Sequence, residues 1–369
     1  MAYTNIDDPS AYFQTALYTG NNTANHAITN DGNSDLQPDL LWIKSRDAAH
    51  SHWLVDSNRG VTKGFFVESS DAERTSLATR DVASFDTDGF TVGVPYQSSS
   101  TNSNASTKVA WQWKANAGST SSNTDGSINS TVQANQDAGF SIVTYTGTGS
   151  TADQTIGHGL GVRANAVIVK NRDGAANWVV YVDGLTANHS MELNTLDTES
   201  DSTQGRVLSN AGTRGTSTIF SIRSGSGSVI QTNTSGEDYV AYCFAEKQGF
   251  SKFSSYVGNG ASNGPFIYTG FAPAFVMIKN TSTPTNWEMF DVKRNPSNVR
   301  NLKLGANLDV AENGSDLGTT TQNNIDILSN GFKCRTGNTD TNVNGHKFIY
   351  MAFAENPFTT STGIPTTAR

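Results

Sequence analysis

Apolar residues in this chain are gathered into short runs, which are separated by tracts rich in Gly, Ser, Thr and Asn. The runs 40–43, 166–169 and 275–278 are examples. Short apolar runs bounded by turn-forming residues are typical of β-strands, whereas a helix needs a sustained apolar period of about 3.6 residues. The best helix candidate, 69–79, has room for no more than a turn or two. The pattern therefore predicts an all-β protein built from antiparallel sheets.

One stretch, 165–183, resembles two others, 39–56 upstream and 275–291 downstream. Each pairs an apolar run that ends in Lys with a second run that Trp leads. The downstream spacing is regular, since 109 residues separate Lys170 from Lys279, Trp178 from Trp287, and Phe244 from Phe353. The upstream copy is looser, since 126 residues separate Lys44 from Lys170 and 125 separate Trp53 from Trp178. Ordered landmarks at one offset indicate a unit copied three times.

The repeat predicts three tandem antiparallel β-sandwich modules of about 110 residues, jelly-roll or lectin-like, set in a row. We expect Trp53, Trp178 and Trp287 to occupy equivalent core positions. The segment 117–138 is almost wholly small and polar, which predicts a linker. The predicted divisions are an N-terminal segment (1–11), repeat 1 (12–116), the linker (117–138), repeat 2 (139–247), repeat 3 (248–358) and a C-terminal tail (359–369).

Two dipeptides predict β-hairpins. Asp88-Gly89 in repeat 1 and Asn330-Gly331 in repeat 3 each stand between alternating apolar runs. Both pairs tolerate the positive φ angles of a type I′ turn.

The composition of the chain limits the classes of partner and the environments that we expect for it. The 25 basic and 33 acidic residues give a net charge of −8 without blocks of one sign, which disfavours nucleic acid as a partner. Cys243 and Cys334 stand in strand-like runs of different copies, so we expect reduced, buried thiols. The first residues lack the basic and apolar regions of a signal peptide, and the chain has no apolar stretch long enough for membrane insertion.

Two motifs have the letters of a catalytic or metal site. The segment 260–264, Gly-Ala-Ser-Asn-Gly, matches a nucleophile elbow, but it stands between two predicted strands rather than before a helix. We interpret it as a hairpin loop. His50 and His52 stand on one face of a strand, as two zinc ligands would. We align His52 with Asn177 and Asn286 of the other copies, which indicates a polar position rather than a metal ligand.

Carboxylates are also scattered. Asp56, Asp183 and Asp291 follow the repeated Trp at different distances, whereas a glycosidase needs two carboxylates held at a fixed separation. The segment 86–89 resembles the opening of a calcium loop without its later ligands. The sequence therefore predicts a protein that is not an enzyme, with no catalytic, metal-binding or cofactor-binding residues. Carboxylates distant in sequence that meet in space remain an open alternative.

Several segments resemble a family of repeat-bearing phage virion proteins that is common in phages of marine bacteria. They are 139–149, 156–161, 167–172 and 177–178 in repeat 2, and 42–46, 81–93 and 109–116 in repeat 1. The resemblance covers nearly all of 12–358. It implies β-sandwich modules in a virion, tail or tail-fibre protein and offers no catalytic residues to carry over.

The resemblance implies a virion structural protein, most directly a tail fibre or tail-tip protein involved in host-surface attachment. Its implied partners are other virion proteins, further copies of itself, as a trimer by analogy, and a polysaccharide or protein of the host cell surface. Its implied location is the virion, after synthesis in the host cytoplasm. The alternatives are a capsid-surface decoration, a structural tail component and a polysaccharide depolymerase.

The loops between the repeated Lys and Trp differ between the copies, while the strands around them stay alike. They span 45–52, 171–177 and 280–286. Loops at the end of a rigid sandwich commonly carry binding, and weak contacts on repeated modules add by avidity. We predict that receptor contact, to a polar saccharide, involves Arg46, His50, Arg172 and Asp173. The alternative is that these loops are solvated connectors or contact neighbouring virion subunits.

Overall fold

The structure is a computed structural model that describes residues 2–96, 100–201, 207–208, 215–222, 231–318 and 321–366. It is an all-β protein, as predicted, and the pairings between its named strands are antiparallel. In 2–116 the elements are a 3-10 helix, η1 (Pro9–Ala11), and β1 (Phe13–Thr19), β2 (His26–Ile28), β3 (Leu40–Ser45), β4 (Trp53–Asp56), β5 (Lys63–Phe66), β6 (Arg74–Thr75), β7 (Val82–Asp86), β8 (Gly89–Val92) and β9 (Thr107–Trp113).

The next strands are β10 (Ser121–Asn123), β11 (Ser130–Asn135), β12 (Phe140–Thr146), β13 (Gln154–Gly157), β14 (Ala166–Asn171), β15 (Val179–Val182), β16 (His189–Glu192), β17 (Ser200–Asp201), β18 (Val207–Leu208), β19 (Ile219–Ile222) and β20 (Asp238–Phe244). Repeat 3 contains a 3-10 helix, η2 (Ser315–Leu317), and β21 (Ser251–Val257), β22 (Phe266–Tyr268), β23 (Phe271–Asn280), β24 (Trp287–Asp291), β25 (Leu304–Gly305), β26 (Ile325–Leu328), β27 (Gly331–Cys334) and β28 (Lys347–Pro357).

One strand order occurs three times. Repeat 1 has a large sheet, β1-β9-β3-β4-β5-β6, and a small sheet, β2-β8-β7. The corresponding sheets are β12-β20-β14-β15-β16-β17 with β13-β19-β18 in repeat 2, and β21-β28-β23-β24-β25 with β22-β27-β26 in repeat 3. In each repeat the first strand therefore lies beside the last, and the last lies beside the strand that ends in the repeated Lys.

The large sheet of repeat 1 is buried on both faces. On one face Leu41, Ile43 and Val55 pack with Val82 and Phe90 of the small sheet, which makes a sandwich core. The opposite face belongs to a second, larger apolar cluster that includes residues of all three repeats. Burial on both faces explains why β3 is apolar without alternation, since alternation arises when one face meets water.

The second cluster is centred on three aromatic rings. Trp113, Phe244 and Phe353 occupy corresponding positions on β9, β20 and β28, and each is at most 4% exposed. Their ring centroids are 6.5 Å apart for Trp113–Phe244, 5.7 Å for Phe244–Phe353 and 5.5 Å for Trp113–Phe353. The rings form a triangle around a pseudo-threefold axis. The expectation that the modules stand in a row therefore does not hold, because their large sheets enclose one common core.

The prediction of a linker at 117–138 is wrong, because this segment contains β10 and β11. Strand β11 pairs with β12 along its whole length and extends the large sheet of repeat 2. The Asp39 carboxylate accepts hydrogen bonds from the Ala117 and Gly118 backbone nitrogens, both at 3.0 Å, and from the Gln133 amide at 2.6 Å. The polar composition of 117–138 does not suggest a strand. Gln133 can nevertheless be buried in β11, because Asp39 accepts the hydrogen bond of its amide.

Trp178 and Trp287 are equivalent, but the prediction that Trp53 matches them is wrong. The strand pairings that establish this are Ile43–Trp53, Val169–Val179 and Ile278–Glu288. Trp53 thus corresponds to the residue after the Trp in the other repeats, and His52 takes the Trp position. A shift by one residue reverses the face of a strand, so Trp53 packs in the sandwich core of repeat 1 instead.

The two predicted hairpins are present, between β7 and β8 and between β26 and β27. Their turns are not type I′, because Asp88 and Asn330 have negative φ angles and Gly89 and Gly331 are already the first residues of β8 and β27. Both cysteines are free and buried. The candidate helix at 69–79 forms turns and the short strand β6 instead.

Because the core is shared, we expect Phe353→Ala to lower the free energy of unfolding by about 3–5 kcal/mol and to weaken all three repeats together. Urea unfolding followed by hydrogen exchange measures both effects. The matched control is Phe266→Ala, since Phe266 is 45% exposed and should change stability little. Loss of exchange protection confined to repeat 3 would contradict a common core.

Candidate functional site: the junctions between the repeats and their loops

The repeated lysines lie where one repeat meets the next. Lys44 Nζ of repeat 1 donates to Asp309 O of repeat 3 at 3.0 Å, Lys170 Nζ of repeat 2 to Ser70 O of repeat 1 at 2.9 Å, and Lys279 Nζ of repeat 3 to Leu196 O of repeat 2 at 2.9 Å. We name these contacts the 1–3, 2–1 and 3–2 junctions. Head-to-tail contacts that return to the start after three steps close a ring.

Each junction lysine is fully buried and also donates to a carbonyl of its own loop. These second acceptors are Ser45 O for Lys44, Ala176 O for Lys170 and Thr285 O for Lys279. Burial lowers the pKa of Lys44 to about 8, and it lowers the pKa of Lys170 and Lys279 to about 7. A neutral amine has two N–H donors, which equals the number of carbonyl acceptors in each junction.

A glutamate of the neighbouring repeat completes each junction. The backbone nitrogens of Glu312, Glu73 and Glu199 donate to the backbone oxygens of Arg46, Arg172 and Thr281, at 2.8, 2.8 and 3.3 Å. Their carboxylates pair with Arg46 at 3.0 Å, Arg172 at 2.8 Å and Lys347 at 2.7 Å respectively. In the 3–2 junction the cation comes from the adjacent strand, because Thr281 stands where the other repeats have Arg.

A buried arginine reinforces the 2–1 junction. Arg59 pairs with Asp56 and with Glu73, both at 2.7 Å, and Tyr242 of repeat 2 donates its hydroxyl to Asp56 at 2.7 Å. These charges are almost fully removed from water, where an unpaired ion would be strongly destabilising. The ion pairs lie within repeat 1, and the Tyr242 hydroxyl, which also accepts from Arg59 at 3.1 Å, and Arg172, which pairs with Glu73, connect them to repeat 2.

The 1–3 junction has the same arrangement. Arg294 pairs with Asp291 at 2.5 Å and with Glu312 at 2.8 Å, and Trp111 of repeat 1 donates Nε1–H to Asp291 at 3.1 Å. In repeat 2 the corresponding position is Val182, and the next residue, Asp183, pairs with Arg163 at 2.6 Å. The three carboxylates that follow the repeated Trp are thus partners of arginines.

His52 is part of the 1–3 junction rather than of a metal site. Its Nδ1 accepts the Trp42 indole N–H at 2.8 Å, so Nε2 carries the proton and faces Gly305 O at 3.0 Å and Leu308 O at 2.9 Å. Burial, with Lys44 adding to it, holds the pKa of His52 well below its usual range. The neutral ring therefore joins repeat 1 to repeat 3.

The predicted receptor-contact residues do not form one site. Arg46 lies in the 1–3 junction and Arg172 in the 2–1 junction, and both guanidinium groups are held by glutamates. His50 is half-buried, and burial, with Lys108 and Lys44 adding to it, lowers its pKa. Asp173 is exposed, and its carboxylate accepts the backbone N–H of Asp238 at 2.6 Å. Arg46 and His50 therefore lie in the loop of repeat 1, and Arg172 and Asp173 lie in the equivalent loop of repeat 2.

The loop tips repeat with the strands. The exposed residues lie three and five positions after the repeated Lys, and they are Asp47 and Ala49, Asp173 and Ala175, and Ser282 and Pro284. Beside the loop of repeat 2, Arg172 lines a groove of about 320 Å³. Its other walls include Thr131, Thr144, Thr146 and Asp238. The groove is thus a polar surface next to a loop tip.

The sequence contains a signal for the junctions that the analysis of motifs missed. Asn194, Asn307 and Glu68 each precede a glutamate by five residues, and those glutamates are Glu199, Glu312 and Glu73. Asn194, Asn307 and Glu68 accept the backbone N–H of Trp178, Trp287 and His52. This acidic or amide residue fixes the start of the strand, and the glutamate after it reaches the neighbouring repeat.

The remaining sequence motifs lie in a loop and a hairpin of the fold. The Gly260–Gly264 segment is a loop between β21 and β22, but these strands belong to different sheets, so it is not the hairpin loop interpreted from the sequence; Ser262 is exposed. Asp86 accepts hydrogen bonds from Ser84 and Thr91 within its hairpin. Among the described residues, no three His, Cys, Asp or Glu side chains are grouped as metal ligands.

The family model described as "Domain of unknown function (DUF7483)" matches residues 8–357. The chain belongs to the DUF7483 family. One model spans the three repeats, so the ring as a whole is the DUF7483 domain. A search of curated proteins found no match, and neither did a search of solved structures. Within the described part of the DUF7483 chain, no helix has the length and apolar character needed to cross a membrane.

The junction lysines predict a dependence of stability on pH. Their folded pKa values of about 7 to 8 lie below the unfolded value of about 10.4. Between these values the unfolded chain binds more protons, so stability increases as pH rises, by up to about 1.4 kcal/mol per lysine and pH unit. We expect Lys170→Met to reduce the slope between pH 7 and 8.5 in urea unfolding.

The control is Lys252→Met, which removes a partly exposed lysine that pairs with Glu246, outside the three junctions. This variant should keep the slope of the unaltered protein. Comparison of slopes is needed because the raised pKa values of buried Cys243 and Cys334 act in the opposite direction at higher pH. An unchanged slope in Lys170→Met would show that Lys170 is already charged in the folded protein.

Proposed function

We propose that this DUF7483 protein is a structural protein of a phage virion, a tail fibre or tail-tip protein that takes part in attachment to the host surface. The observation that carries the proposal is the closed ring of three equivalent modules around one apolar core. An appendage has to present its contact surfaces without yielding under load. A ring with buried ion pairs at its junctions suits that task, because no repeat can move without breaking two junctions.

The position of the loops supports the same proposal. Each loop follows a junction lysine, so a buried anchor holds its base while its tip reaches solvent. Contact with a polar saccharide would involve the tips around Asp173 and the edge of the groove at Arg172. Carboxylates, guanidinium groups and hydroxyls are suitable partners for sugar hydroxyls. Three loops on one rigid body allow weak contacts to add.

The proposed partners are other virion proteins, further copies of the chain and a polysaccharide or protein of the host surface. A trimer of the chain is part of this proposal by analogy with the symmetry of phage appendages. Arg46 and Arg172 act in this scheme chiefly as supports of the loops, since glutamates hold them.

Gold-labelled antibodies against the protein, imaged on purified particles, test its place in the virion. We expect label at the tail. Label confined to the capsid would favour a decoration protein, and label along the inside of the tail would favour a structural tail component. Release of reducing sugar from host polysaccharide by purified protein would favour a depolymerase. Particles that contain none of the protein would overturn the proposal.

Adsorption tests the role of the loops. Purified protein added to host cells before the phage should slow adsorption, because it occupies the receptors. We expect His50→Ala combined with Asp173→Ala to relieve the block without a change in melting temperature. Arg335→Ala is the control, since it removes an exposed ion pair with Asp326 away from these loops. Full blocking by the loop variant would exclude these residues from the contact.

A further inference from the structure

A second candidate site lies at the opposite end of the ring from the loops. In repeat 1 the pairing of Ser45 with Lys108, near the start of β9, marks the end of the ring at which the loops lie. The pairing of Phe13 with Trp113, at the end of β9, marks the opposite end of the ring. There the N-terminal segment, the turn before β12 and the connection from repeat 2 to repeat 3 surround a cavity of about 410 Å³.

Three separate parts of the chain form this cavity. Tyr12 comes from the start of repeat 1, Asp137 from the turn between β11 and β12, and Lys247 and Gln248 from the connection between repeats 2 and 3. Residues 2–6 close one side. The cavity therefore exists only when the ring is closed, because no single repeat supplies its walls.

The N-terminal wall is held in place by hydrogen bonds to repeat 3 and its connection. Thr4 donates its hydroxyl to Gln248 O at 2.7 Å, and Tyr3 donates its hydroxyl to Gly270 O at 2.6 Å. The Tyr3 ring also lies 6.4 Å from the ring of Phe358. Ile6 is buried in the common apolar core. These contacts give the cavity a defined shape.

Several polar groups face the cavity: Asp137 and Gln248 are exposed, Lys247 is half-buried, and the Tyr12 ring packs against Phe250 at 5.9 Å. Within the described chain, the side chains of Tyr12, Asp137, Lys247 and Gln248 form no hydrogen bond or ion pair, although all four line the cavity. Burial raises the pKa of Tyr12 and Asp137 raises it further, while burial lowers the pKa of Lys247 and Asp137 opposes that change. A phenol, a carboxylate, an ammonium group and an amide thus converge on one space.

A second cavity continues the first. It has a volume of about 650 Å³ and shares Ala2, Tyr3 and Gln248 with the first cavity. Its far wall is formed by Ser361, Thr362 and Gly363. Ser361 is anchored by the Asp7 carboxylate, which accepts its backbone N–H at 2.6 Å. The two cavities share a wall and form one open groove, lined by tyrosines, hydroxyls and an amide.

We infer that this groove is a saccharide-binding site, with one sugar unit in the cavity of Tyr12, Asp137, Lys247 and Gln248 and a further unit toward Ser361 and Thr362. Sugar hydroxyls are donors and acceptors together, which fits an acceptor-only carboxylate beside a donor-only ammonium group and an amide with both functions. The apolar face of a sugar ring packs on a tyrosine ring. A volume of about 410 Å³ lies in the range of ligand pockets, about 300–1,000 Å³.

This inference goes beyond the proposed function and does not require it. The loops at the other end of the ring would contact the host through their tips, whereas this groove would hold its ligand between the N-terminal segment and the connection from repeat 2 to repeat 3. Host attachment through the loops and saccharide binding in the groove can therefore fail separately. An adsorption assay reports on the first and direct ligand binding to purified protein reports on the second.

Saturation-transfer NMR on the full chain tests the groove with glucose, galactose, rhamnose and N-acetylglucosamine, and with a disaccharide and trisaccharide of each. We expect transfer to at least one sugar, with tighter binding of the disaccharide than of its monosaccharide. Asp137→Asn and Gln248→Ala should each weaken binding at least tenfold at an unchanged melting temperature. Asp35→Asn, which alters an exposed carboxylate elsewhere, should bind as the unaltered protein does.

A measurement on the unaltered sequence avoids dependence on the variants. Fluorotyrosine incorporated in place of tyrosine gives each ring a fluorine signal, and titration with the bound sugar should shift the Tyr12 and Tyr3 signals while that of buried Tyr145 stays. Absence of transfer to every sugar of the panel would overturn the inference. So would sugar binding that leaves the Tyr12 signal in place, because the ligand would then occupy another surface.

Discussion

The contact of Trp113, Phe244 and Phe353 is the constraint on which the rest of the structure depends. Each large sheet has an apolar face that its own small sheet does not cover, and only the faces of the other two repeats are available to cover it. Burial of aromatic side chains is the dominant favourable contribution, since each removes a large apolar area from water. Closing the ring is therefore the way in which all three sheets bury that face at once.

The junctions define how the ring closes. Apolar contact alone is non-directional, so the three sheets could slide against each other. The buried lysines and the inter-repeat ion pairs prevent this, because Lys170 and Arg172 are satisfied only when the loop of repeat 2 meets the Ser70 carbonyl and the Glu73 carboxylate of repeat 1. We interpret the polar junctions as the source of register and the aromatic core as the source of stability. The arrangement resembles a homotrimer whose subunits have been joined in one chain.

The sequence predicted the strands and hairpins well because each depends on local patterns, such as apolar runs or Asn330-Gly331. It could not predict the ring, since nothing local says which face of β3 is covered by another repeat. The linker prediction failed because Gln133 is buried through a hydrogen bond to distant Asp39.

The candidate sites, too, could be predicted only as far as they depend on local sequence patterns. Spacing identifies the Lys landmarks, yet matching Trp with Trp places Trp53 one residue away from its structural counterparts, Val179 and Glu288, because the register of the strand is not visible in the sequence. Arg46 and Arg172 were correctly placed in loops, but their glutamate partners lie in other repeats. The groove around Tyr12 and Lys247 was not foreseen, since its walls come from segments that meet only in the closed ring.

The 1–3 junction joins segments far apart in sequence, and this affects how the protein is made. Lys44 and Arg46 leave the ribosome early, whereas their partners Asp309 and Glu312 are among the later residues to emerge. Until then repeats 1 and 2 expose an aromatic face that repeat 3 will cover. A nascent chain in this state has the surface that chaperones bind and that drives aggregation. Synthesis of the final third of the chain is therefore the step that lets repeat 3 cover the exposed aromatic face and close the ring.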